Sequence, residues 1–211
     1  MKKKVGHLHV ITDETVQERF THAQLAELAI AGGADLIQFR DKARGARELL
    51  AAAGEVGRVC RAAGVPLVVN DRADIALAVG ADGVHLGSTD LPIAAARRLL
   101  GPHAIIGGTA ADLQGARQAQ RDGADYVGFG HVYPTHSKEK PGAAIGTGPL
   151  REVCRELGIP VVAIGGIDGR NAGAVLDGGV WGIAVISAVC EADDPERAAA
   201  GLAKLVRARY R

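Results

Sequence analysis

Short apolar runs recur along the chain, and most are bounded by glycine, proline or charged residues. Stretches of helical character separate them. One of these, 92–100, carries proline in its first turn, as helices often do. Strands that alternate with helices predict parallel βα units. The eight runs are 8–12, 36–40, 66–70, 83–87, 104–109, 126–130, 160–164 and 181–187.

A glycine-containing pattern repeats at every second strand, at 31–35, 79–82, 122–125 and 177–180. Each copy predicts the end of a helix, a glycine cap and the start of a strand. Repetition every two units is expected where alternate strands fill one layer of a barrel. The pattern therefore predicts an α/β fold, a single (β/α)8 TIM barrel domain over residues 1–211. The competing fold is an open doubly wound sheet, but its G-x-G-x-x-G fingerprint after the first strand is missing.

Composition narrows the classes of function. The formal net charge is +1 and aromatic residues make up 3% of the chain, which argues against a nucleic-acid partner. No apolar run is long enough for a transmembrane helix, so no membrane partner is expected. The three cysteines lie far apart, which predicts a reducing compartment, the cytoplasm, and argues against a zinc site. None of these features indicates an oligomeric state.

Polar residues close each predicted strand, and in a barrel the active site lies at these carboxyl ends. Asp71 closes the third strand and Asp90 follows the fourth. On neighbouring parallel strands, two carboxylates at this level can share one Mg²⁺, which completes its shell with water and substrate phosphates. The alternative is that each aspartate caps the helix that follows it.

A basic segment closes the second strand. Alternation along the strand predicts that Gln38 and Arg40 point to the same side, into the mouth of the barrel. Arg40 can bind a phosphate bidentately, and Lys42 can act as a point charge. The alternative is an exposed loop whose cations pair with Asp41. Because a glutamine inside an apolar run needs a polar partner, the binding site is favoured.

The segment after the sixth strand carries two hydroxyls and an ammonium in one turn, those of Thr135, Ser137 and Lys138. This combination suits an anion, and the loop through Gly148 is a candidate lid. The alternative is an ordinary surface loop. His131 lies nearer the strand, where a histidine serves as a general acid or base, or only hydrogen-bonds a neighbouring loop.

The seventh and eighth strands end in small residues, at Gly165-Gly166 and Ile186-Ser187. Barrels often bind phosphate at these loops through backbone N–H groups. The alternative is that the glycines serve packing. With the carboxylates and cations of strands two to four, the chain has two candidate anion sites. Two phosphorylated substrates, one of them a diphosphate bound with magnesium, fit this layout.

Four motifs together resemble the thiamine-phosphate synthase superfamily, which also contains a thiazole tautomerase branch. The resemblance runs from Val10 to Ala188, nearly the whole chain. The motifs are Val69-Asn70-Asp71-Arg72, Ala81-Asp82-Gly83-Val84-His85-Leu86-Gly87 with Asp90, Tyr133-Pro134-Thr135 with Lys138, and Ile164-Gly165-Gly166-Ile167.

The resemblance implies a transferase of thiamine biosynthesis. Such an enzyme joins 4-amino-2-methyl-5-(diphosphooxymethyl)pyrimidine to a thiazole phosphate and releases pyrophosphate. The implied mechanism is dissociative: pyrophosphate leaves first, a pyrimidine cation forms, and the thiazole nitrogen attacks it. Arg40 and Lys138 would stabilise the leaving group. The implied ligands are Asp71 and Asp90 for Mg²⁺; Gln38, Arg40, Lys42 and Lys138 for the diphosphate; Asn70 and Thr109 for the pyrimidine; and Thr135, Ser137, Gly166, Ile186 and Ser187 for the thiazole phosphate.

Three positions depart from the synthase pattern. Thr109 stands where synthases typically have Ser, Ser88 where they usually have Gln, and His131 where they usually have Pro. The Gly-His-Val run resembles the tautomerase branch, in which that histidine moves a proton on a thiazole carboxylate phosphate. A tautomerase has no need of a carboxylate pair, so Asp71 and Asp90 favour the synthase. A non-catalytic barrel that binds phosphorylated ligands as a regulator is the remaining alternative.

Overall fold

The eight apolar runs form a closed parallel barrel, as predicted. The computed structural model describes residues 5–137 and 143–210. Each strand pairs in parallel with the next, and β8 pairs with β1 to close the ring. The strands are β1 Leu8–Thr12, β2 Leu36–Phe39, β3 Leu67–Asn70, β4 Gly83–Leu86, β5 Ile105–Ala110, β6 Tyr126–Phe129, β7 Val161–Ile164 and β8 Gly182–Val185.

Helices connect the strands. Among the described residues, none of the helices is long and apolar enough to span a membrane. The helices are α1 His22–Ala31, α2 Ala46–Ala63, α3 Ala73–Val79, α4 Ile93–Leu100, α5 Leu113–Arg121, α6 Thr147–Glu156, α7 Ala172–Leu176, α8 Ser187–Cys190 and α9 Pro195–Arg209, with a short 3₁₀ helix over Glu14–Val16. Because α6 begins at Thr147, the predicted loop through Gly148 is two residues too long. The short helix α8 was not predicted.

The repeated glycine pattern links helix ends to strand starts. Its glycines adopt the left-handed conformation that ends a helix, with φ of 99° at Gly33, 63° at Gly80, 92° at Gly123 and 86° at Gly179. In three copies an aspartate follows and accepts a hydrogen bond from a backbone N–H of the preceding strand. These pairs are Asp35 with Leu8, Asp82 with Leu67 and Asp125 with Ile106. In these three copies the repeat therefore joins β1 to β2, β3 to β4 and β5 to β6.

Two apolar clusters form the core. The larger one packs strands against helices, for example Val69 of β3 against the α2–α3 layer. The smaller one fills the inside of the barrel with residues such as Leu36, Val68, Ile105 and Val162. Buried polar side chains, among them His9 and Gln38, share this interior. The barrel interior is thus a packed core whose polar groups need partners.

The buried His9 makes stability depend on pH. Burial lowers the pKa of His9 from 6.5 to about 4. Below pH 6.5 His9 is protonated in the unfolded chain but stays neutral in the folded chain, so the free energy of unfolding falls as the pH drops towards 4. His22, whose pKa burial also lowers, acts in the same direction. We expect His9 alone to lower the free energy of unfolding by about 2 kcal/mol between pH 7 and pH 5.

Urea unfolding of His9→Gln at these two pH values tests this expectation. A glutamine can keep a donor near the Gly6 carbonyl that His9 Nε2 contacts at 3.0 Å. Between pH 7 and pH 5 the free energy of unfolding of the variant should fall by about 2 kcal/mol less than that of the wild type. The exposed His103 supplies the control, since His103→Gln should follow the wild-type curve. Equal acid sensitivity of His9→Gln and wild type would contradict the assignment.

Candidate active site

Two adjoining cavities open at the carboxyl ends of the strands, where the predicted site residues meet. Thr109 and Ser137 line both cavities and so mark their boundary. The β2–β4 cavity is lined by Arg40, Lys42, Asn70, Asp71, Ser88, Asp90 and their neighbours. The β6–β8 cavity is lined by His85, His131, Thr135, Gly166, Ile186, Ser187 and their neighbours.

Arg40 is held in the β2–β4 cavity by a buried aspartate. Its Nη1 donates to Asp13 Oδ2, and the Asp13 side chain is wholly buried. Asp13 is itself fixed by Thr15, whose backbone N–H and hydroxyl donate to Oδ1 at 2.9 and 2.6 Å. Arg40 Nε is buried and has no hydrogen-bond partner in the described part of the chain. The exposed-loop alternative for Arg40 is therefore wrong, since Asp41 pairs instead with Arg44 at 2.8 Å.

Asp71 and Asp90 meet at the rim of the same cavity. Lys42 Nζ lies 2.5 Å from Asp71 Oδ2, and the backbone N–H of Gly87 donates to Asp90 Oδ2 at 2.7 Å. Burial raises the pKa of Asp90, and the neighbouring Asp71 carboxyl raises it further, against Gly87 and Lys42. Neighbouring carboxyls disfavour each other's charge, and a cation bound beside them would relieve this repulsion.

The helix-cap alternative for these aspartates is wrong. The cap residue of α3 is Arg72 and that of α4 is Pro92, and neither helix has a side-chain cap. Asp71 has a φ of 64°, a conformation that aspartate and asparagine tolerate better than most residues. A close carboxylate pair beside an open cavity fits Mg²⁺, which is commonly held by one or two carboxylates plus substrate phosphates. No group of three or more acidic, histidine or cysteine ligands occurs among the described residues.

Asn70 and Thr109 place polar side chains along the β2–β4 cavity, and Thr109 also lines the β6–β8 cavity. Asn70 ends β3, and its side chain is largely buried in the β2–β4 cavity. Thr109 Oγ1 lies 2.9 Å from His85 Nε2. Both side chains are polar groups on rigid strands, as a site that orients a flat ring requires.

The loop after β6 brings hydroxyls to the boundary of the cavities. The backbone N–H of Ser137 donates to Thr135 Oγ1 at 3.3 Å. The Ser137 hydroxyl is buried and no described residue pairs with it. A buried hydroxyl without a protein partner is what a ligand oxygen would satisfy. Lys138, predicted beside it, lies outside the described residues.

The β7 and β8 loops form the floor of the β6–β8 cavity. Gly165 and Gly166 have φ of 99° and 64°. A Cβ at Gly166 would lie 2.9 Å from the Tyr133 carbonyl oxygen, so these glycines let the β6 loop approach closely. Ser187 begins α8 directly after Ile186. The predicted phosphate residues of both loops thus face one cavity.

His131 lies on the wall of the same cavity. Its backbone carbonyl accepts from Ile145 N–H at 3.0 Å, which binds the start of the β6 loop to its end. The side chain is half-buried and lines the β6–β8 cavity rather than the carboxylate pair. The geometry keeps His131 near a ligand in that cavity and away from Asp71 and Asp90.

Three residues near the cavities differ from what was predicted from the sequence. Gln38 was predicted to reach the cavity, but it lines neither one; it is buried beside Tyr126. Asp13 was noted only as closing its strand and His85 only as part of a motif, and neither was assigned a role. The signal that could have found His85 is a polar side chain in an otherwise apolar strand, the same signal that marked Gln38.

Comparisons with known proteins show a matching family and a matching fold. A family model described as thiamine monophosphate synthase matches residues 8–189. A thiamine-phosphate synthase of Salinibacter ruber is 50% identical over 199 residues, 94% of this chain and 88% of that protein. One of Methanocella arvoryzae is 49% identical over 204 residues, 97% of this chain and 96% of that protein. The solved structure of a thiamine phosphate pyrophosphorylase from Pyrococcus furiosus is 41% identical, with a TM-score of 0.88 and 96% of each chain covered.

Proposed function

The chain belongs to the thiamine monophosphate synthase family and is a transferase of thiamine biosynthesis, and we propose that its two adjoining cavities hold the two substrates of that reaction side by side. The reaction joins the pyrimidine diphosphate to the thiazole phosphate and releases pyrophosphate. The observation that carries the proposal is the shared boundary at Thr109 and Ser137. Among the described residues, the carboxylate pair lines the β2–β4 cavity and not the β6–β8 cavity, which supports placing the diphosphate on that side.

The diphosphate binds in the β2–β4 cavity. Arg40, held by Asp13, and Lys42 approach it from β2. Lys138 is proposed as a third cation for the diphosphate. Asp71 and Asp90 would hold Mg²⁺ there, and the ion would neutralise charge on the diphosphate oxygens. Asn70 and Thr109 hold the pyrimidine at the boundary. Gln38 is buried beside Tyr126, and its Oε1 has no described partner.

The thiazole phosphate binds in the β6–β8 cavity. Thr135 and Ser137 offer hydroxyls from one side, and Gly166, Ile186 and Ser187 close the other. This places the thiazole ring against the boundary residue Thr109. The pyrimidine methylene carbon and the thiazole nitrogen are then held close together, which lowers the entropic part of the barrier.

The chemical step balances without a covalent enzyme intermediate. The bond between the pyrimidine methylene carbon and the diphosphate oxygen breaks, and its electron pair leaves with pyrophosphate. The lone pair of the thiazole nitrogen then forms the new carbon–nitrogen bond. Arg40, Lys42 and Lys138 stabilise the charge that develops on the leaving group.

The tautomerase alternative rests on His131, and a variant separates it from the synthase. His131 lines the thiazole side only, so the synthase needs it for neither the diphosphate nor the ion. We expect His131→Ala to lower kcat/KM of the synthase reaction by no more than about tenfold, the scale of one lost contact. Steady-state kinetics with both substrates measure this. Loss of all turnover would instead favour a proton-transfer role.

The proposal as a whole is tested by one assay of the purified chain. The pyrimidine diphosphate, the thiazole phosphate and Mg²⁺ should together give thiamine phosphate and pyrophosphate. A chelator should stop the reaction, and added Mg²⁺ should restore it. Pyrophosphate release that does not depend on the thiazole phosphate would contradict the proposal, as would turnover that persists in the presence of the chelator.

The proposed partners are small phosphorylated molecules, and the cytoplasmic location remains a prediction from the cysteine pattern.

A further inference from the structure

A line of hydrogen bonds crosses the barrel interior and ends at the boundary of the two cavities. His85 Nδ1 lies 2.9 Å from the Tyr126 hydroxyl, and His85 Nε2 lies 2.9 Å from Thr109 Oγ1. At the far end Gln38 lies beside the Tyr126 hydroxyl. The line therefore runs from Tyr126 of β6 through His85 of β4 to Thr109 of β5.

Strand register and two glycines make this line possible. His85, Gly107 and Tyr126 lie at one level of neighbouring strands β4, β5 and β6. Because Gly107 has no side chain, His85 and Tyr126 meet across it; a Cβ there would overlap both rings. A Cβ at Gly128 would lie 2.8 Å from His85 Cε1. Space for this polar line is thus built into two strands.

The polarity of the line follows from its far end. Gln38 Oε1 is buried without a hydrogen-bond partner in the described ranges, so the Tyr126 proton does not go to it. Complete burial raises the pKa of the Tyr126 hydroxyl more strongly than the neighbouring Gln38 lowers it. Tyr126 therefore stays protonated, and its O–H is free to donate to His85 Nδ1. A ring nitrogen that accepts leaves the proton on the other one.

We propose that His85 is a positioning residue, held by Tyr126 in the tautomer with its proton on Nε2, and that it thereby sets the Thr109 hydroxyl as a hydrogen-bond donor towards the substrate. Thr109 Oγ1 accepts from His85 Nε2–H, which leaves its own proton to point into the cavity. The group it addresses has a lone pair and no proton, such as a ring nitrogen of the pyrimidine. The identity of the substrate in this proposal rests on the proposed function. The tautomer of His85 is inferred from the hydrogen bonds alone and does not depend on that function.

The tautomer is read directly from the ¹⁵N shifts of the imidazole in labelled, substrate-free protein. His85→Gln identifies the His85 signals by their loss. We expect one protonated Nε2 and one unprotonated Nδ1. In Tyr126→Phe the signals should show a mixture of the Nδ1-protonated and Nε2-protonated tautomers, because the hydroxyl that donates to Nδ1 is gone. A proton on Nδ1 in the wild type would overturn the proposal whether or not the enzyme turns over.

Kinetics supply the second readout, with a matched pair of variants. Glutamine can place an N–H near the position of Nε2, whereas asparagine reaches only as far as Nδ1. We expect kcat/KM for the pyrimidine diphosphate to fall about thirtyfold in His85→Asn and about tenfold in Tyr126→Phe, but less than about fivefold in His85→Gln. Because His85 also lines the β6–β8 cavity, the KM for thiazole phosphate can change in these variants, but it should change equally in His85→Asn and His85→Gln.

A merely structural role for His85 gives a different result. Loss of packing would affect both substrates alike and would not distinguish asparagine from glutamine. Thermal unfolding of each variant shows that the compared proteins are folded. Equal losses in His85→Asn and His85→Gln would overturn the proposal. If the wild type makes no thiamine phosphate, the proposed function fails, while the tautomer measurement still decides the inference.

Discussion

Asp71→Asn is expected to reduce kcat/KM for the pyrimidine diphosphate by roughly 10³-fold, the scale of losing a metal ion that stabilises the leaving group. The substitution removes one charge of the pair formed with Asp90 and frees Lys42 from its 2.5 Å contact. The fold should survive, because asparagine tolerates the φ of 64° at this position as well as aspartate does. The variant therefore tests the charge and leaves the backbone unchanged.

A nearby carboxylate provides the control for Asp71→Asn. Asp74 lies three residues further on, and it pairs with Arg72 at 2.6 Å on the surface. Asp74→Asn should keep kcat/KM within about twofold of wild type, since exposed pairs contribute little. Calorimetric binding of thiazole phosphate should be unchanged in both variants. If Asp71→Asn kept full activity, or if Asp74→Asn lost as much, the assignment of the carboxylate pair would be wrong.

Arg40→Lys should give the second large effect, a loss of about 10²-fold in kcat/KM for the pyrimidine diphosphate. The guanidinium can donate to the buried Asp13 and still present other N–H groups to the diphosphate. A lysine ammonium is a point charge, so it can contact either Asp13 or the diphosphate but not both in good geometry. Arg40→Lys is preferred to an uncharged substitution, because a neutral residue would leave Asp13 buried without its cation and cost about 3 kcal/mol or more.

Arg44 is the matched control for Arg40. It is four residues along the same segment and pairs with Asp41 and Glu14 at 2.8 and 2.6 Å, away from the cavity lining. Arg44→Lys should change kcat/KM by less than about threefold. Both variants are compared at one ionic strength, with urea unfolding to confirm that each is folded. A similar loss in the two variants would mean that Arg40 contributes only to the general positive charge.

The barrel was predictable because its signals are local and repeated. The apolar runs gave each strand to within a residue or two, and the glycine repeat marked helix ends such as those at Gly80 and Gly123. The rim residues followed from the fold, since parallel strands bring their carboxyl ends together. Arg40, Asn70, Asp71 and Asp90 accordingly meet in one cavity.

What the sequence did not reveal depends on contacts between distant strands. Asp13 is separated from Arg40 by 27 residues, and nothing in either neighbourhood shows that one buries against the other. The depth of Gln38 likewise depends on Tyr126, which lies on the far side of the barrel. Register across β4, β5 and β6 decides that His85 meets Tyr126 over Gly107. Such pairs form only when the eight strands close into the barrel.

The central claim is that the two cavities hold the two substrates, with the ion on the Asp71–Asp90 side. A crystal structure with Mn²⁺ in place of Mg²⁺, pyrophosphate and thiazole phosphate tests it most directly. The account predicts one anomalous peak at the two carboxylates, pyrophosphate beside Arg40 and Lys42, and the thiazole phosphate near Gly166 and Ser187. An anomalous peak away from Asp71 and Asp90, or thiazole phosphate bound beside Arg40, would contradict the account.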